Sequence, residues 1–196
     1  AMEEANERTV EGDFGGAKLV HAGVTTRFFR RDGRYFVNTE GPDGKPADFE
    51  VRYTFGVHPL QQYLIELPGG RLQALGLAWD ARPKVEGGQR WFALNPGRRL
   101  KPGDPLHWTG IDQNWNYQCA DCHSTNLRKN YDEATRTYKT AWSGLDVGCE
   151  ACHGPGASHV AWTKRDDAAR RADASKGLTV ALDERRGVAW PIDPST

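Results

Sequence analysis

The sequence predicts an α+β chain, with an antiparallel β region on the N-terminal side and a loop-rich, partly helical region after it. Three observations predict this. Between residues 17 and 95, apolar and polar residues alternate, and pairs of such runs flank tight-turn residues. From 96 onward, prolines and glycines repeatedly interrupt the pattern. All four cysteines of the 196-residue chain fall in two five-residue words, 119–123 and 149–153.

Residues 1–16 are acidic and Gly-rich, with Glu3, Glu4, Glu7, Glu11 and Asp13 against Arg8 alone, and read as a flexible, loosely docked lead-in. No leader peptide is recognisable there, so the sequence is expected to be a mature form or an excised piece. In the β-rich region, 17–95, Phe49, Val51, Tyr53 and Phe55 alternate with Glu50, Arg52 and Thr54, as in a strand with one buried face. Phe28-Phe29 and Tyr35-Phe36-Val37 flank Asp32-Gly33, which favours a tight hairpin. A second hairpin joins Tyr63–Leu67 to Leu72–Trp79 through Pro68-Gly69-Gly70.

The next region, 96–178, opens with a connecting loop rich in Pro and Gly that carries His107-Trp108 and then Trp115-Asn116-Tyr117. Beyond the second word, Gly154-Pro155-Gly156 breaks the chain. Ser158 is expected to cap a helix that runs to about Lys176 and stops at Gly177. Asp166 with Arg170, and Asp167 with Arg171, stand at helix-supporting spacing on a solvated face. The tail, 179–196, reads as an irregular surface segment.

Composition removes several function classes. With 26 Lys+Arg against 26 Asp+Glu there is no basic excess of the kind nucleic-acid binders carry. No run of apolar residues is long enough to span a membrane.

The two words are Cys119-Ala120-Asp121-Cys122-His123 and Cys149-Glu150-Ala151-Cys152-His153. Each has the C-x-x-C-H form that attaches a c-type haem. Two thiols three positions apart can each form a thioether to one vinyl group on the porphyrin edge. The adjacent imidazole then ligates iron from the proximal side. Three other uses of the cysteines compete: two disulfides, a Cys₄ zinc site, or a redox C-x-x-C. The trailing histidines favour haem, because at 6 His in 196 residues both positions would be His by chance about once in a thousand. The 26 residues between Cys122 and Cys149 also exceed the usual zinc spacing of roughly 15–20. The expectation is two haem c groups, which makes the second region a di-haem one, with Cys119, Cys122, Cys149 and Cys152 binding the cofactor and His123 and His153 as proximal ligands. Trp108 and Trp115 are expected as haem walls. Thioether attachment occurs outside the cytoplasmic membrane, so the protein is expected to be periplasmic or otherwise exported.

The sixth position on each iron decides whether it passes electrons or binds substrate. The only methionine is Met2, in the lead-in, which leaves His21, His58, His107 and His159. His159 follows His153 by six residues and is expected to point away from the second haem, serving as distal ligand to the first. His107, in a loop where a side chain is easily aimed, is expected to serve the second haem, with His21 as its rival and His58 behind both.

The words CADCH and CEACHGPGASH resemble those of cytochrome c554-type multihaem cytochromes, in which a CxxCH-GPG-x-x-H run recurs. The stretches from FEVRYTFGVHPLQQYLIELPGG to PLHWTG and NWNYQCADCHSTNLRKNY are similar to bacterial periplasmic multihaem proteins that often carry tetratricopeptide repeats. The likeness covers roughly 17–165, although longer members have further words and no helical repeats are visible here. The resemblance implies closely packed bis-histidine haems and electron transfer, with His159 at the ligand-bearing GPG-x-x-H position. The leading expectation is therefore a di-haem electron carrier that exchanges electrons with redox proteins or further haem domains. The alternatives are a haem enzyme, such as a peroxidase or oxyanion reductase with one displaceable ligand, and a haem-based sensor domain.

Overall fold

A computed structural model of the chain describes residues 2–183 and 188–191. It is mostly β. Strands β1 (Met2–Glu4), β2 (Gly15–His21), β3 (Val24–Arg31), β4 (Arg34–Glu40), β5 (Pro46–Phe55), β6 (Leu60–Leu67), β7 (Arg71–Ala74), β8 (Leu77–Asp80) and β9 (Arg90–Ala93) form one antiparallel sheet. Its main order is β2-β3-β4-β5-β6-β8-β9, with β1 on β5 and β7 on β6. The sheet curls until β2 and β9 approach each other, a barrel-like course that closes around an aromatic core. Trp91 of β9 stacks on Phe28 of β3 at 3.5 Å, and Phe14 sets its edge against both Trp91 and Tyr35.

Both hairpins form where turn chemistry places them. Arg31 pairs with Arg34 around Asp32 (φ 52°) and Gly33 (φ 74°), a two-residue turn with both central residues left-handed. Leu67 pairs with Arg71 around Gly69 and Gly70. The second arm is shorter than expected: the predicted run to Trp79 breaks after Ala74, and Leu77–Asp80 pairs instead with β9 and the start of β6. In β5 the predicted alternation holds to Val51 and then fails. The register on β6 shifts between Val51 and Tyr53, so Arg52 stays exposed while Thr54 is buried and Phe55 is half-buried.

The lead-in is not loose. Met2 is buried, β1 pairs with β5, and Phe14 enters the core. Gln61 takes the Glu11 amide on Oε1 and donates from Nε2 to the Thr9 carbonyl, while the Gly12 amide donates to the Tyr63 hydroxyl. Acidic and glycine-rich composition hid these few apolar anchors.

The remaining elements are short: α1 (Trp115–Gln118), α2 (Ala120–His123), the hairpin β10 (Tyr131–Asp132) and β11 (Thr137–Tyr138), α3 (Glu150–His153), α4 (Ala157–Thr163), α5 (Asp167–Ala172), and the hairpin β12 (Val180–Asp183) and β13 (Val188–Pro191). Two features differ from expectation. The helix expected from Ser158 to Lys176 is two helices, because Asp166 accepts from the Ala169 amide and caps a new one. Asp166 is thus a cap, and Arg170 pairs with Asp167, three residues away. The tail expected to be irregular contains the β12–β13 pairing; residues 184–187 and 192–196 of that tail lie outside the described residues. The chain forms two compact units, residues 1–123 with 127–141, and 124–126 with 142–196, so each word belongs to a different unit. Among the described residues, no helix is long and apolar enough to cross a membrane.

Candidate functional site

The approach to the first word is pinned to the sheet by buried amides. Gln73 of β7 donates from Nε2 to the carbonyls of Trp108 and Gly110, both at 2.9 Å, and its Oε1 accepts from Asn114 at 2.8 Å. Asn116 accepts from the Leu72 amide at 2.7 Å and donates to the Gly70 carbonyl and the Thr140 hydroxyl. Asn114 also caps α1 by accepting from the Tyr117 amide. Trp115, between these two asparagines, is fully buried. Sequence reading missed Gln73, Asn114 and Asn116 as positioning residues. The signal was present in the Asn-Trp-Asn run just before the word.

On this base, the Cys122 amide donates to the Cys119 carbonyl at 3.1 Å, which places both thiols on one turn. Cys119 is half-buried, and burial pushes its thiol up from the ordinary value; Cys122 is exposed, and both are free. His123 is exposed, with its ring against Phe55 of β5 at 4.6 Å. Tyr117, two residues before the word, is 54% exposed.

The second word stands on a polar hub. Thr125 donates from Oγ1 to the Asp146 carbonyl at 2.7 Å and accepts from the Gly148 amide at 2.8 Å, holding the strand of chain that enters α3. Glu150 accepts from the Gly156 amide at 2.7 Å, and Gly154 turns the chain at φ 71°. Cys149 is free and exposed, and His153 is exposed; the Cys152 side chain lies outside the described residues. Val147 and Val160, on either side of the word, are 54% and 50% exposed. His159 donates from Nδ1 to the Lys176 carbonyl at 2.8 Å, and its ring stacks on Trp162.

These residues fit a covalent porphyrin. Unpaired thiols on one turn, an imidazole beside them at the surface, and exposed apolar side chains on the flanks are what a haem edge and face would cover. Among the described residues, no three or more His, Cys, Asp or Glu side chains gather as a metal cage.

The other candidate residues belong to the barrel. Trp108 is buried, edge-on to Phe49, and donates from Nε1 to the Glu40 carbonyl at 2.7 Å. His107 is 5% exposed, with Nδ1 on the Thr109 hydroxyl at 2.8 Å and Nε2 3.8 Å from a Glu40 oxygen. Burial pushes its imidazole below the usual value, Glu40 opposing and Arg99 assisting. His107 and His21 line one cleft with Glu40, Arg98 and Arg99. The Pro- and Gly-rich loop that carries His107, expected to aim it freely, is instead stapled to the end of β4. Arg99 grips Glu40 with two bonds of 2.8 Å, and Trp108 and His107 add their contacts. His58 is exposed on the turn between β5 and β6.

The Arg99 bonds hold the Glu40 carboxyl below its ordinary value of 4.5. A depressed folded-state value stabilises above the unfolded one, and the benefit fades as pH falls through the folded value. Glu40→Gln is therefore expected to unfold more easily in urea at pH 7, with the gap to the parent protein narrowing as pH drops below 4.5. A gap that stays constant from pH 7 to 3 would contradict this.

Residues 104–154, about a quarter of the chain, match the family model for cytochrome c554 and c-prime. The match takes in both words and bears out the resemblance over that stretch. No curated protein and no solved structure matches the chain.

Proposed function

We propose that this chain is an electron-transfer segment of a c-type cytochrome, with one covalent haem at Cys119 and Cys122 and a second at Cys149 and Cys152. One observation carries the reading: a single stretch that matches cytochrome c554 and c-prime includes both C-x-x-C-H words, and each word stands at the surface on its own short helix. When bound, haem supplies a one-electron ferric–ferrous couple. The chain supplies everything else. Its thiols fix the ring edge, and His123 and His153 give the proximal nitrogens. The buried amides of Gln73, Asn114 and Asn116 hold the first word steady, and the Thr125 hub holds the second, so that little reorganises when an electron arrives.

His159 is the distal ligand best prepared for one of the irons, since its Nδ1 is taken by the Lys176 carbonyl and, among the described residues, its Nε2 makes no hydrogen bond. His107 comes second, because its ring must turn from Thr109 and Glu40 before it can ligate. Two imidazoles per iron would set a lower potential than His/Met ligation. Thioether attachment requires export, so the periplasm is the proposed location, and redox proteins or further haem domains are the proposed partners.

Exported with a c-type maturation system, the protein is expected to be red and to exceed the bare polypeptide mass by two haems. Its low-temperature EPR spectrum should show low-spin ferric signals of bis-imidazole type. A purified protein with the mass of the naked chain would overturn the assignment.

A further inference from the structure

We propose that the turn Asp173–Leu178 is a positioning device for His159, with Asp173 as its organising residue: the turn presents the Lys176 carbonyl to Nδ1 and thereby leaves the Nε2 lone pair free for a metal. The proposal rests on reading His159 as an axial ligand and adds what holds that ligand ready.

The chemistry of the contact fixes the tautomer. A main-chain carbonyl only accepts, so the 2.8 Å contact from His159 Nδ1 to the Lys176 oxygen requires the proton on Nδ1. In a neutral imidazole, Nε2 then carries the lone pair. The ring is also held in orientation, because it stacks on Trp162 at 5.5 Å and 17°, and Trp162 donates from Nε1 to the Arg170 carbonyl at 3.2 Å.

The turn is built to deliver that one carbonyl. Asp173 Oδ1 accepts from both the amide and the hydroxyl of Ser175, at 3.1 and 2.6 Å, and Oδ2 pairs with Arg165 at 3.2 Å. Ser175 Oγ in turn accepts from the Gly177 amide at 3.1 Å. Lys176 and Gly177 are both left-handed, at φ 54° and 69°. Gly177 lies directly on the first turn of α4: a Cβ there would come within 2.5 Å of the Ser158 oxygen and 3.0 Å of the His159 nitrogen. Only glycine allows the turn to seat against the residue that carries the imidazole.

A ligand imidazole whose other nitrogen donates to a carbonyl is held in orientation and made more basic. Loosening the turn should therefore raise the midpoint potential of one haem and leave the other unchanged. The test uses the exported, haem-loaded chain and four variants, with His159→Ala as the control for ligation. In the reduced, diamagnetic protein, the His159 Nδ1–H signal should exchange with deuterium slowly. Asp173→Ala and Gly177→Ala should speed that exchange about fivefold or more, the effect of one lost hydrogen bond, and raise one potential. Asp173→Asn keeps an acceptor for Ser175 and should restore both properties.

Unchanged exchange and potentials in Asp173→Ala and Gly177→Ala, in a protein where His159→Ala turns one haem high-spin, would overturn the positioning role alone. Two low-spin haems in His159→Ala would overturn the ligand reading and the positioning role with it.

Discussion

If each C-x-x-C-H word carries a haem, as proposed, replacing Cys119 and Cys122 together with alanine should remove one haem and leave one. The mass of the exported protein falls by one haem, and its pyridine haemochrome absorbance halves. The two thiols share one turn and are free, and they are the only thiols of their unit. Retention of the ring through the axial imidazole alone would leave a haem that acid–acetone extracts, so extraction before weighing separates the cases. The word at Cys149 belongs to the other unit and stands on its own Thr125 hub, so it should load normally. The variant should also stay folded, because Cys119 and Cys122 lie outside the aromatic core of the barrel. A variant that still carries two inextractable haems would rule out attachment at the first word.

The second large effect lies in the barrel. Trp91→Ala should cost about 3–5 kcal/mol in urea unfolding, the range for deleting a buried tryptophan. Trp91 is where the curled sheet closes. It stacks flat on Phe28 at 3.5 Å, meets Phe14 and Trp79 edge-on at 5.4 Å each, and donates from Nε1 to the Asp13 carbonyl at 3.0 Å. Removing it strips a partner from β3, β8 and the N-terminal segment at once. Trp91→Phe keeps the stack and loses the hydrogen bond, so it should cost about 1 kcal/mol for the bond plus a smaller packing term. Equal losses in the two variants would mean that the ring face contributes nothing.

The hairpins at Asp32-Gly33 and Gly69-Gly70 were legible because turn chemistry is local. So were the two words, since each is a contiguous five-residue pattern that can be read whatever the rest of the chain does. What escaped depended on distant partners. The inward turn of Thr54 comes from a one-residue slip against β6, which no pattern within β5 announces. The packed lead-in depends on Gln61, Tyr63 and Trp91, some fifty to eighty residues away. His107 read as freely aimed because it sits among prolines and glycines, yet Glu40 at the end of β4 fixes its neighbourhood through Arg99 and Trp108. The break before α5 was within reach, since Asp166 is a favoured cap residue. The spacing to Arg170 masked it.

The short pairing of Met2–Glu4 with Tyr53–Phe55 has a consequence for handling and evolution of the protein. β4 covers one side of β5 only from Pro46 to Glu50, so the bonding groups beyond that point would face water if β1 were absent. Open backbone of this kind is a template on which a foreign strand can grow, the first step toward aggregation. Met2–Glu4 thus act as a self-supplied guard, and a truncation that removes them while sparing every proposed haem-binding residue is expected to make the chain prone to aggregate.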